Sequence, residues 1–310
     1  MVAVHVALAG GRCGKLEVMD VHLIDGTYEL FRQFYGSQSR HEPGTRDLDA
    51  TRGVVDDALR ILERGATHVG VATDHVIESF RNDLWPTYKT GEGIDPALYE
   101  QFTPVEDALR SLGVAVWAMV DHEADDALGS AAIQAAADDR VEQVVIRTVD
   151  KDLGQCVGGK IVQYDRKNDR LLDTNAIIEK FGVSPASIPD YLALVGDAAD
   201  GFPGLPGWGA KSTAAVLAHY ATIEAIPDDV NAWEVQGVRG AAKLAATLAA
   251  GRNVVAVFKD IATLRCELDV GTVDSWLWRG PTDEFVGWCD RLESPGMATR
   301  AAKLYEQRML

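Results

Sequence analysis

The stretch His122-Glu-Ala-Asp-Asp-Ala-Leu-Gly-Ser-Ala131 places three carboxylates within four positions at the start of an apolar helical pattern. One or two acidic residues in a first helical turn complement the helix dipole. A third is harder to explain, because two unit charges about 4 Å apart repel by roughly 4 kcal/mol at an effective dielectric of 20. We therefore expect something positive to bind at this helix start.

Short apolar runs on both sides of this helix are typical of buried parallel strands, and helical patterns alternate with them. The predicted strands are 18–25, 67–74, 113–121 and 142–150. The predicted helices are 51–65, 95–112 and 123–139. This alternation predicts a doubly wound α/β sheet, with a hairpin appended around 166–169 and a mostly helical region from about 188 onward.

Each of the four predicted strands ends in an aspartate, namely Asp25, Asp74, Asp121 and Asp150. A single aspartate at such a position is more often a turn or capping residue, and we expect this of Asp121. Ligands of open α/β sheets, however, bind outside the carboxyl ends of the strands. The strand-terminal aspartates and Glu123 are therefore expected to converge on one crevice.

Further carboxylates continue the same pattern along the chain. Glu123 and Asp126 share a helix face, with Asp125 beside them. Asp150 and Asp152 can point the same way from an extended segment, and Asp197 and Asp200 lie three apart. Clusters of oxygen ligands without His or Cys suit Mg²⁺ or Mn²⁺. Two such ions suit phosphodiester hydrolysis, which suggests a nuclease.

Composition limits the remaining possibilities. The 310 residues are 47% hydrophobic, enough for one large domain or two modest ones. A net charge of −17 argues against a generally basic nucleic-acid surface but leaves room for a local basic track. We expect no membrane-spanning run, no signal peptide and a cytoplasmic protein. The four cysteines are far apart in sequence and are interpreted as isolated reduced thiols.

Four motifs occur in a recognisable order: ESFRNDLWPTYKTG, HEADDALGS, TVDKDLGQ and LVGDAADGFPGLPGWGAKSTAAVL. Together they resemble the bacterial 5′-3′ exonuclease and flap endonuclease family, found as the N-terminal nuclease part of DNA polymerase I. The resemblance implies a PIN-like catalytic domain at 19–187, with a helical arch at about 80–105. It also implies a helical DNA-binding region at 188–310, with a helix-three-turn-helix motif at about 190–220. Residues 1–18 would form a tail, and the chain resembles a stand-alone nuclease.

The resemblance also implies how the acidic residues divide between two metal sites that hold Mg²⁺ or Mn²⁺. One site would comprise Asp25, Asp74, Glu123 and Asp125. The other would be supplied or supported by Asp126, Asp150, Asp152, Asp197 and Asp200. For Asp126 and Asp200 the alternative is support through water.

Basic and glycine residues complete the implied site. Arg81 and Lys89 would hold or polarise the scissile phosphate, and Tyr88 would offer a face for a terminal base unless it packs in the core. Arg32 would contact DNA. Phosphate and a K⁺ ion would bind at the glycine-rich turn, which contributes Gly204, Gly207, Gly209 and Lys211.

The predicted activity is structure-selective 5′-3′ exonuclease and flap endonuclease cleavage of DNA at 5′ ends, flaps or nicks, by two-metal catalysis. RNA–DNA hybrids would be further substrates, and the enzyme would act as a monomer in replication and repair. Two alternatives remain: a non-catalytic binder of branched DNA, and a PIN-like ribonuclease. An unused carboxylate cluster would keep its electrostatic cost, which argues against the first. The glycine-rich turn argues against the second.

Overall fold

The computed structural model describes residues 19–37 and 48–310. The predicted tail and Cys13 lie outside these residues. Six strands form one sheet in the order β3-β2-β1-β4-β5-β6. They are β1 (Met19–Asp25), β2 (His68–Asp74), β3 (Ala115–Met119), β4 (Val141–Arg147), β5 (Ile161–Asp165) and β6 (Arg170–Leu172).

The first five strands are parallel, and β6 returns antiparallel to β5 as the predicted hairpin. The doubly wound sheet predicted from the strand and helix alternation is therefore confirmed. β3 and β4 end at Met119 and Arg147, two and three residues before Asp121 and Asp150. Those two aspartates follow their strands in loops, whereas Asp25 and Asp74 are the last residues of β1 and β2.

Twelve α-helices are present in the described part of the chain. Those of the N-terminal half are α1 (Gly26–Ser37), α2 (Asp49–Glu63), α3 (Phe80–Leu84), α4 (Pro96–Tyr99), α5 (Phe102–Leu112), α6 (Ala124–Ala136) and α7 (Thr174–Phe181). The remaining helices are α8 (Ile188–Val195), α9 (Ala210–Tyr220), α10 (Ala241–Ala262), α11 (Phe285–Arg291) and α12 (Pro295–Met309). Glu123, not Asp121, is the N-cap of α6, and Asp121 is exposed.

Three groups of buried apolar side chains hold these layers together. The first core lies on one face of the sheet under α1, α2 and α5, and α11 and α12 return to pack in it through Phe285 and Met297. The third core lies on the opposite face under α6 and includes Trp276. The second core joins α8, α9 and α10. The last two helices of the predicted helical region, α11 and α12, thus pack on the helices that cover the sheet, because their apolar side chains belong to the first core.

The predicted helical arch is not one helical element. α3 ends at Leu84, because Trp85 precedes Pro86 and adopts an extended conformation with φ −142° and ψ 112°. Residues 85–95 are non-helical, and α4 begins only after Asp95, whose side chain accepts a hydrogen bond from the Ala97 amide. The arch segment is therefore two short helices joined by a loop.

Helix α10 is long and apolar enough, by length and composition alone, to cross a membrane. No such segment was expected from the sequence. The window that passes this test is 28% buried, and α10 packs Leu248 and Phe258 into the second core. Two of its charged residues are paired within the fold, Arg252 with Asp228 and Lys259 with Asp190. One face of α10 thus packs on the second core, and the rest of the helix is open.

Candidate active site

Carboxylates from five segments gather beyond the carboxyl ends of the parallel strands. β1 and β2 supply their last residues, α6 supplies its first turn, and the loops after β4 and α8 supply two residues each. Parallel strands end at the same edge of a sheet, so this convergence follows from the topology. The residues are Asp25, Asp74, Asp125, Asp150, Asp152, Asp197 and Asp200, which we call the acidic cluster.

The acidic cluster is electrostatically strained. Burial raises the pKa of Asp25 to about 7, and repulsion from Asp74 and Asp150 adds to the shift. Burial, together with the charge of Asp150, also raises the pKa values of Asp125 and Asp152 well above the usual range. Carboxylates are held near one another in this way when a cation neutralises them.

Three members of the cluster form a group with the spacing of metal ligands. Asp152, Asp197 and Asp200 each place a carboxylate oxygen within 4.8 Å of the others. Asp152 Oδ1 is buried and has no hydrogen-bond partner among the described residues. A buried carboxylate oxygen without a donor is costly, and a hard divalent cation satisfies it. The donor set therefore fits Mg²⁺ or Mn²⁺.

Glu123 connects the acidic cluster to basic and hydroxyl side chains. Its Oε2 accepts a hydrogen bond from the Tyr88 hydroxyl at 3.0 Å and pairs with Lys89 Nζ at 2.8 Å. Its Oε1 accepts a hydrogen bond from Ser79 Oγ at 2.6 Å. Despite burial, the nearby Lys89 and Arg81 lower the pKa of Glu123. Both oxygens are thus engaged within the protein, and the metal-ligand role of Glu123 stays a prediction.

Two lysines face the acidic cluster, Lys89 and Lys151, and Lys151 pairs with Asp197. Besides Glu123, the charges of Asp74 and Asp200 act on Lys89 and raise its pKa well above the usual range despite its burial. The Lys89 side chain remains 26% exposed. Its ammonium group is therefore charged and positioned by carboxylates, and part of the side chain is open to solvent, as the predicted contact with a phosphate requires.

Arg81 and Asp126 bind each other. The Arg81 guanidinium binds both oxygens of Asp126, at 2.7 and 2.8 Å, and donates to the Ile261 carbonyl. Each Asp126 oxygen accepts a second hydrogen bond, from the Glu123 amide or the Arg265 amide. The two side chains are at most 2% exposed. Each side chain thus satisfies the other, and the phosphate contact of Arg81 and the metal ligation by Asp126 stay predictions.

Tyr88 is buried in the second core with 3% exposure, so its ring is not available to stack on a base. Packing of residues 85–89 against the loop that carries Asp200 explains this. The Lys89 amide donates to the Asp200 carbonyl, and Trp85 Nε1 donates to the Gly201 carbonyl. A Cβ at Gly201, which has φ +80°, would lie 2.0 Å from the Thr87 carbonyl oxygen. The core alternative for Tyr88 is correct, and Gly201 permits the contact.

The glycine-rich turn lies between α8 and α9, as predicted. Gly204 and Gly207 have positive φ, and a Cβ at Gly204 would lie 2.4 Å from the Gly196 nitrogen. Gly209 is the N-cap of α9, with open space around its Cα. Lys211 is exposed in the first turn of α9. This end of the molecule therefore presents backbone and one lysine to solvent.

Comparison with known proteins adds to this geometry. The model of the 5′-3′ exonuclease N-terminal resolvase-like domain matches residues 20–182, more than half of the chain. The model of the 5′-3′ exonuclease C-terminal SAM fold matches residues 183–284. This chain belongs to the 5′-3′ exonuclease family.

The chain has curated relatives of two lengths. It is 30% identical over 291 residues to DNA polymerase I of Pseudomonas aeruginosa, covering 87% of this chain and 31% of the polymerase. The chain therefore spans about a third of that relative. It is 25% identical to a 5′-3′ exonuclease of Buchnera aphidicola, covering 81% of this chain and 88% of that protein.

Solved structures confirm the predicted PIN-like 5′-nuclease fold. The bacteriophage T5 D15 protein, crystallised with metal ions, superposes with a TM-score of 0.62 at 15% identity, covering 93% of this chain and 98% of that one. The catalytic core of Rad2 in complex with DNA superposes with a TM-score of 0.60 at 17% identity, covering 94% of each chain. At these identities the likeness shows the fold alone.

Arg32 is engaged in ion pairs at the position predicted to contact DNA. It pairs with Glu29 at 2.5 Å and with Asp57 at 2.7 Å. Arg166 joins the same two carboxylates. Glu29 lies three residues before Arg32 on α1, a spacing that the sequence shows, whereas Asp57 comes from α2 and only the fold brings it to Arg32.

A basic groove that the sequence analysis missed lies next to this ion-pair network. It has a volume of about 290 Å³ and lies between α2 and the strands β4 and β5. Arg64 and Arg147 have no carboxylate partner in the described part of the chain, and Arg147 lies over the Tyr164 ring at 4.2 Å. Two aspartates, Asp57 and Asp169, share the lining with four arginines, which are Arg60, Arg64, Arg147 and Arg166. They come from distant segments, so no basic run marks them in the sequence.

Proposed function

We propose that this chain is a structure-selective 5′-3′ exonuclease and flap endonuclease that hydrolyses DNA phosphodiester bonds with divalent metal ions. The observation that carries the proposal is the buried, unpartnered Asp152 oxygen within a cluster of carboxylates, next to the charged Lys89. Family membership gives the reaction class. Substrates are DNA with 5′ ends, flaps or nicks, with RNA–DNA hybrids as a further class, and the protein acts as a cytoplasmic monomer.

The acidic cluster would hold the divalent ions, with Asp152, Asp197 and Asp200 as the best-supported group. Asp25, Asp74, Asp125 and Asp150 would complete the ligand set. Bound Mg²⁺ or Mn²⁺ supplies charge neutralisation and an activated water for phosphodiester hydrolysis. Asp150 is the most exposed of these ligands, which places it on the solvent side.

Among the remaining side chains, one would act on the phosphate, and the others hold that side chain or the surrounding helices in place. Lys89 would hold the scissile phosphate and stabilise the charge that develops on it. Arg81 and Asp126 act as positioning residues, because their buried pair ties α3 to α6 and to the end of α10. Glu123 and Tyr88 hold the Lys89 ammonium in place.

Two surfaces would bind the rest of the substrate. The turn before α9, with Gly204, Gly207, Gly209 and Lys211, would receive backbone phosphates and a K⁺ ion. The basic groove would receive further phosphates, since Arg64 and Arg147 are cations without partners on a chain of net charge −17. Local positive charge on an acidic protein confines nucleic acid to these surfaces.

The experiment is cleavage of a 5′-labelled flap duplex by the purified protein in EDTA, Mg²⁺ or Mn²⁺. Asp152→Asn removes a cluster carboxylate, and Asp121→Asn is the matched control, because Asp121 is an exposed aspartate outside the cluster. We expect metal-dependent release of short 5′ products, loss of cleavage in Asp152→Asn and wild-type rates in Asp121→Asn.

Other outcomes would contradict the proposal in distinct ways. Tight flap binding without cleavage at any metal concentration would support the non-catalytic alternative. Preferential cleavage of single-stranded RNA would support the ribonuclease alternative. Equal cleavage of the flap and of a single strand of the same sequence would contradict structure selectivity.

A further inference from the structure

Two cysteines that are about 110 positions apart in sequence meet in the folded chain. Cys156 ends the short 3₁₀-helix Asp152–Cys156, and Cys266 lies in the segment after α10. The neighbouring thiol is the largest influence on the pKa of each cysteine. The expectation that the cysteines are isolated is therefore wrong for this pair, because the chain between them folds back over α6.

Gly129 of α6 allows the two sulfur atoms to approach. A Cβ at position 129 would lie 2.9 Å from Cys266 Sγ and 3.4 Å from Cys156 Sγ. Glycine inside a helix costs stability relative to alanine. Its presence here leaves room for the thiols of both cysteines over the helix.

The pair is open to small reagents. A cavity of about 370 Å³ is lined by both cysteines together with Gln155, Lys259 and Thr263. Both cysteines are partly exposed, whereas Cys289 is buried in the first core. The pair therefore differs from Cys289 in access as well as in proximity.

The two segments that carry the cysteines support the acidic cluster. The Gln155 side-chain amide donates to the Asp152 carbonyl at 2.8 Å and to the Ala262 carbonyl at 3.0 Å. Within the same C-terminal segment, the Arg265 amide donates to Asp126. A covalent bond between these segments would join the segment that carries Asp152 to the segment that holds Asp126.

We propose that Cys156 and Cys266 form an oxidation site at which hydrogen peroxide converts the two thiols into a disulfide. The Cys266 thiolate attacks one peroxide oxygen, the O–O bond breaks, and the released hydroxide leaves as water after protonation. The Cys156 thiolate then attacks the resulting sulfenic sulfur, which forms the S–S bond and releases a second water. Two thiols lose two electrons in total, and one peroxide gains them.

The order of the two steps has a physical basis. The nearby Cys156 thiol lowers the pKa of Cys266, which favours the Cys266 thiolate, and the nearby Cys266 thiol raises the pKa of Cys156. The thiolate is the reactive form, so Cys266 reacts first. The resulting cross-link closes a long loop and stabilises the fold by restricting the unfolded chain.

The experiment treats the reduced full-length protein, free of divalent metal, with hydrogen peroxide and then alkylates the remaining thiols. Peptide mass spectrometry is expected to find the Cys156 and Cys266 peptides joined, with the loss of two hydrogen atoms. The melting temperature is expected to rise and to return after treatment with dithiothreitol. Neither readout uses nuclease activity, so the outcome is independent of the proposed function.

Variants separate the pair from the other thiols. Cys289→Ser is the matched control and should keep both the cross-link and the temperature shift. Cys266→Ser should lose both, and Gly129→Ala should slow cross-linking, because its methyl group contacts the two sulfur atoms. Because the cross-link is mapped on the wild-type chain, a variant that fails to fold does not remove the test. Sulfinic acid at one cysteine without a cross-link, or a cross-link to Cys13 or Cys289, would overturn the proposal.

Discussion

At the scale of single residues, Lys89 and Arg81, two of the cations near the candidate active site, are held in different ways. Lys89 pairs with Glu123, and part of its side chain remains exposed. The Arg81 guanidinium, in contrast, donates its hydrogen bonds to Asp126 and to the Ile261 carbonyl. A group that acts in the transition state has to reach the substrate. The exposed cation is therefore the candidate for chemistry, and the buried one is the candidate for support.

Lys89→Ala should slow the chemical step. A cation at the phosphate stabilises the transition state more than the ground state, and removing one such group typically costs about 100- to 1,000-fold in rate. We expect that loss in single-turnover cleavage of a flap substrate, with little change in its dissociation constant. Lys303→Ala, which removes an exposed lysine from α12, serves as the control. A higher dissociation constant with a preserved saturated rate would make Lys89 a docking contact.

Arg81→Ala should act on stability. Removing one partner of a buried ion pair leaves an uncompensated charge, which typically costs about 3–5 kcal/mol. Thermal or urea unfolding should therefore show a large loss for Arg81→Ala and a smaller loss for Lys89→Ala, because Glu123 keeps its hydrogen bonds from Ser79 and Tyr88. The double variant Arg81→Met with Asp126→Leu should recover part of the loss. Wild-type stability with a slow chemical step in Arg81→Ala would restore the catalytic role that the sequence suggested.

At the scale of elements, the topology concentrates negative charge at one edge of the sheet, and stability should depend on pH and metal accordingly. The folded protein raises the pKa of Asp25 to about 7. The folded state therefore binds more protons than the unfolded state between about pH 4 and pH 7, and stability falls as the pH rises through that window. In metal-free buffer at pH 8, Asp25→Asn should therefore raise the free energy of unfolding by an amount on the order of a few kcal/mol.

Unfolding at pH 5 and pH 8, with and without Mg²⁺, measures this effect. At pH 8 without metal, Asp25→Asn should be more stable than the wild type, and at pH 5 the difference should be small. Mg²⁺ should stabilise the wild type more than the variant, because binding to the folded state adds to its stability. Asp121→Asn should show neither effect. A variant that is less stable than the wild type in every buffer would show that Asp25 is not under repulsion.

Comparison of these elements shows what a sequence can and cannot predict. The positions of Asp25, Asp74 and Asp152 followed from the strand pattern and from motif order, because parallel strands fix where their ends meet. The roles of Arg81 and Tyr88 did not follow. Both lie in a motif, but their partners come from α6 and α10, and only tertiary packing brings them together. The same holds for Cys156 and Cys266.

At the scale of the whole molecule, a net charge of −17 has to coexist with binding to a polyanion. The structure separates the charges. Seven acid side chains gather where metal ions would neutralise them, and the cations without a carboxylate partner among the described residues include Lys211 and, in the basic groove, Arg64 and Arg147. Most of the remaining surface would repel DNA, so few cations should carry the affinity.

The salt dependence of DNA binding tests this distribution of charge. Each phosphate contact releases condensed counterions, so removing one contact should reduce the slope of log affinity against log salt by about 1. Lys211→Ala and Arg64→Ala should each reduce the slope for a flap duplex in Ca²⁺ or EDTA, where cleavage does not interfere. Lys303→Ala, which removes an exposed cation that is not among the residues lining the basic groove or the glycine-rich turn, should leave it unchanged. The combined Lys211 and Arg64 variant should lose about twice as much, because separate contacts add. If Lys303→Ala lowers the slope as much as the other two, binding depends on total charge, and neither surface is a specific DNA contact.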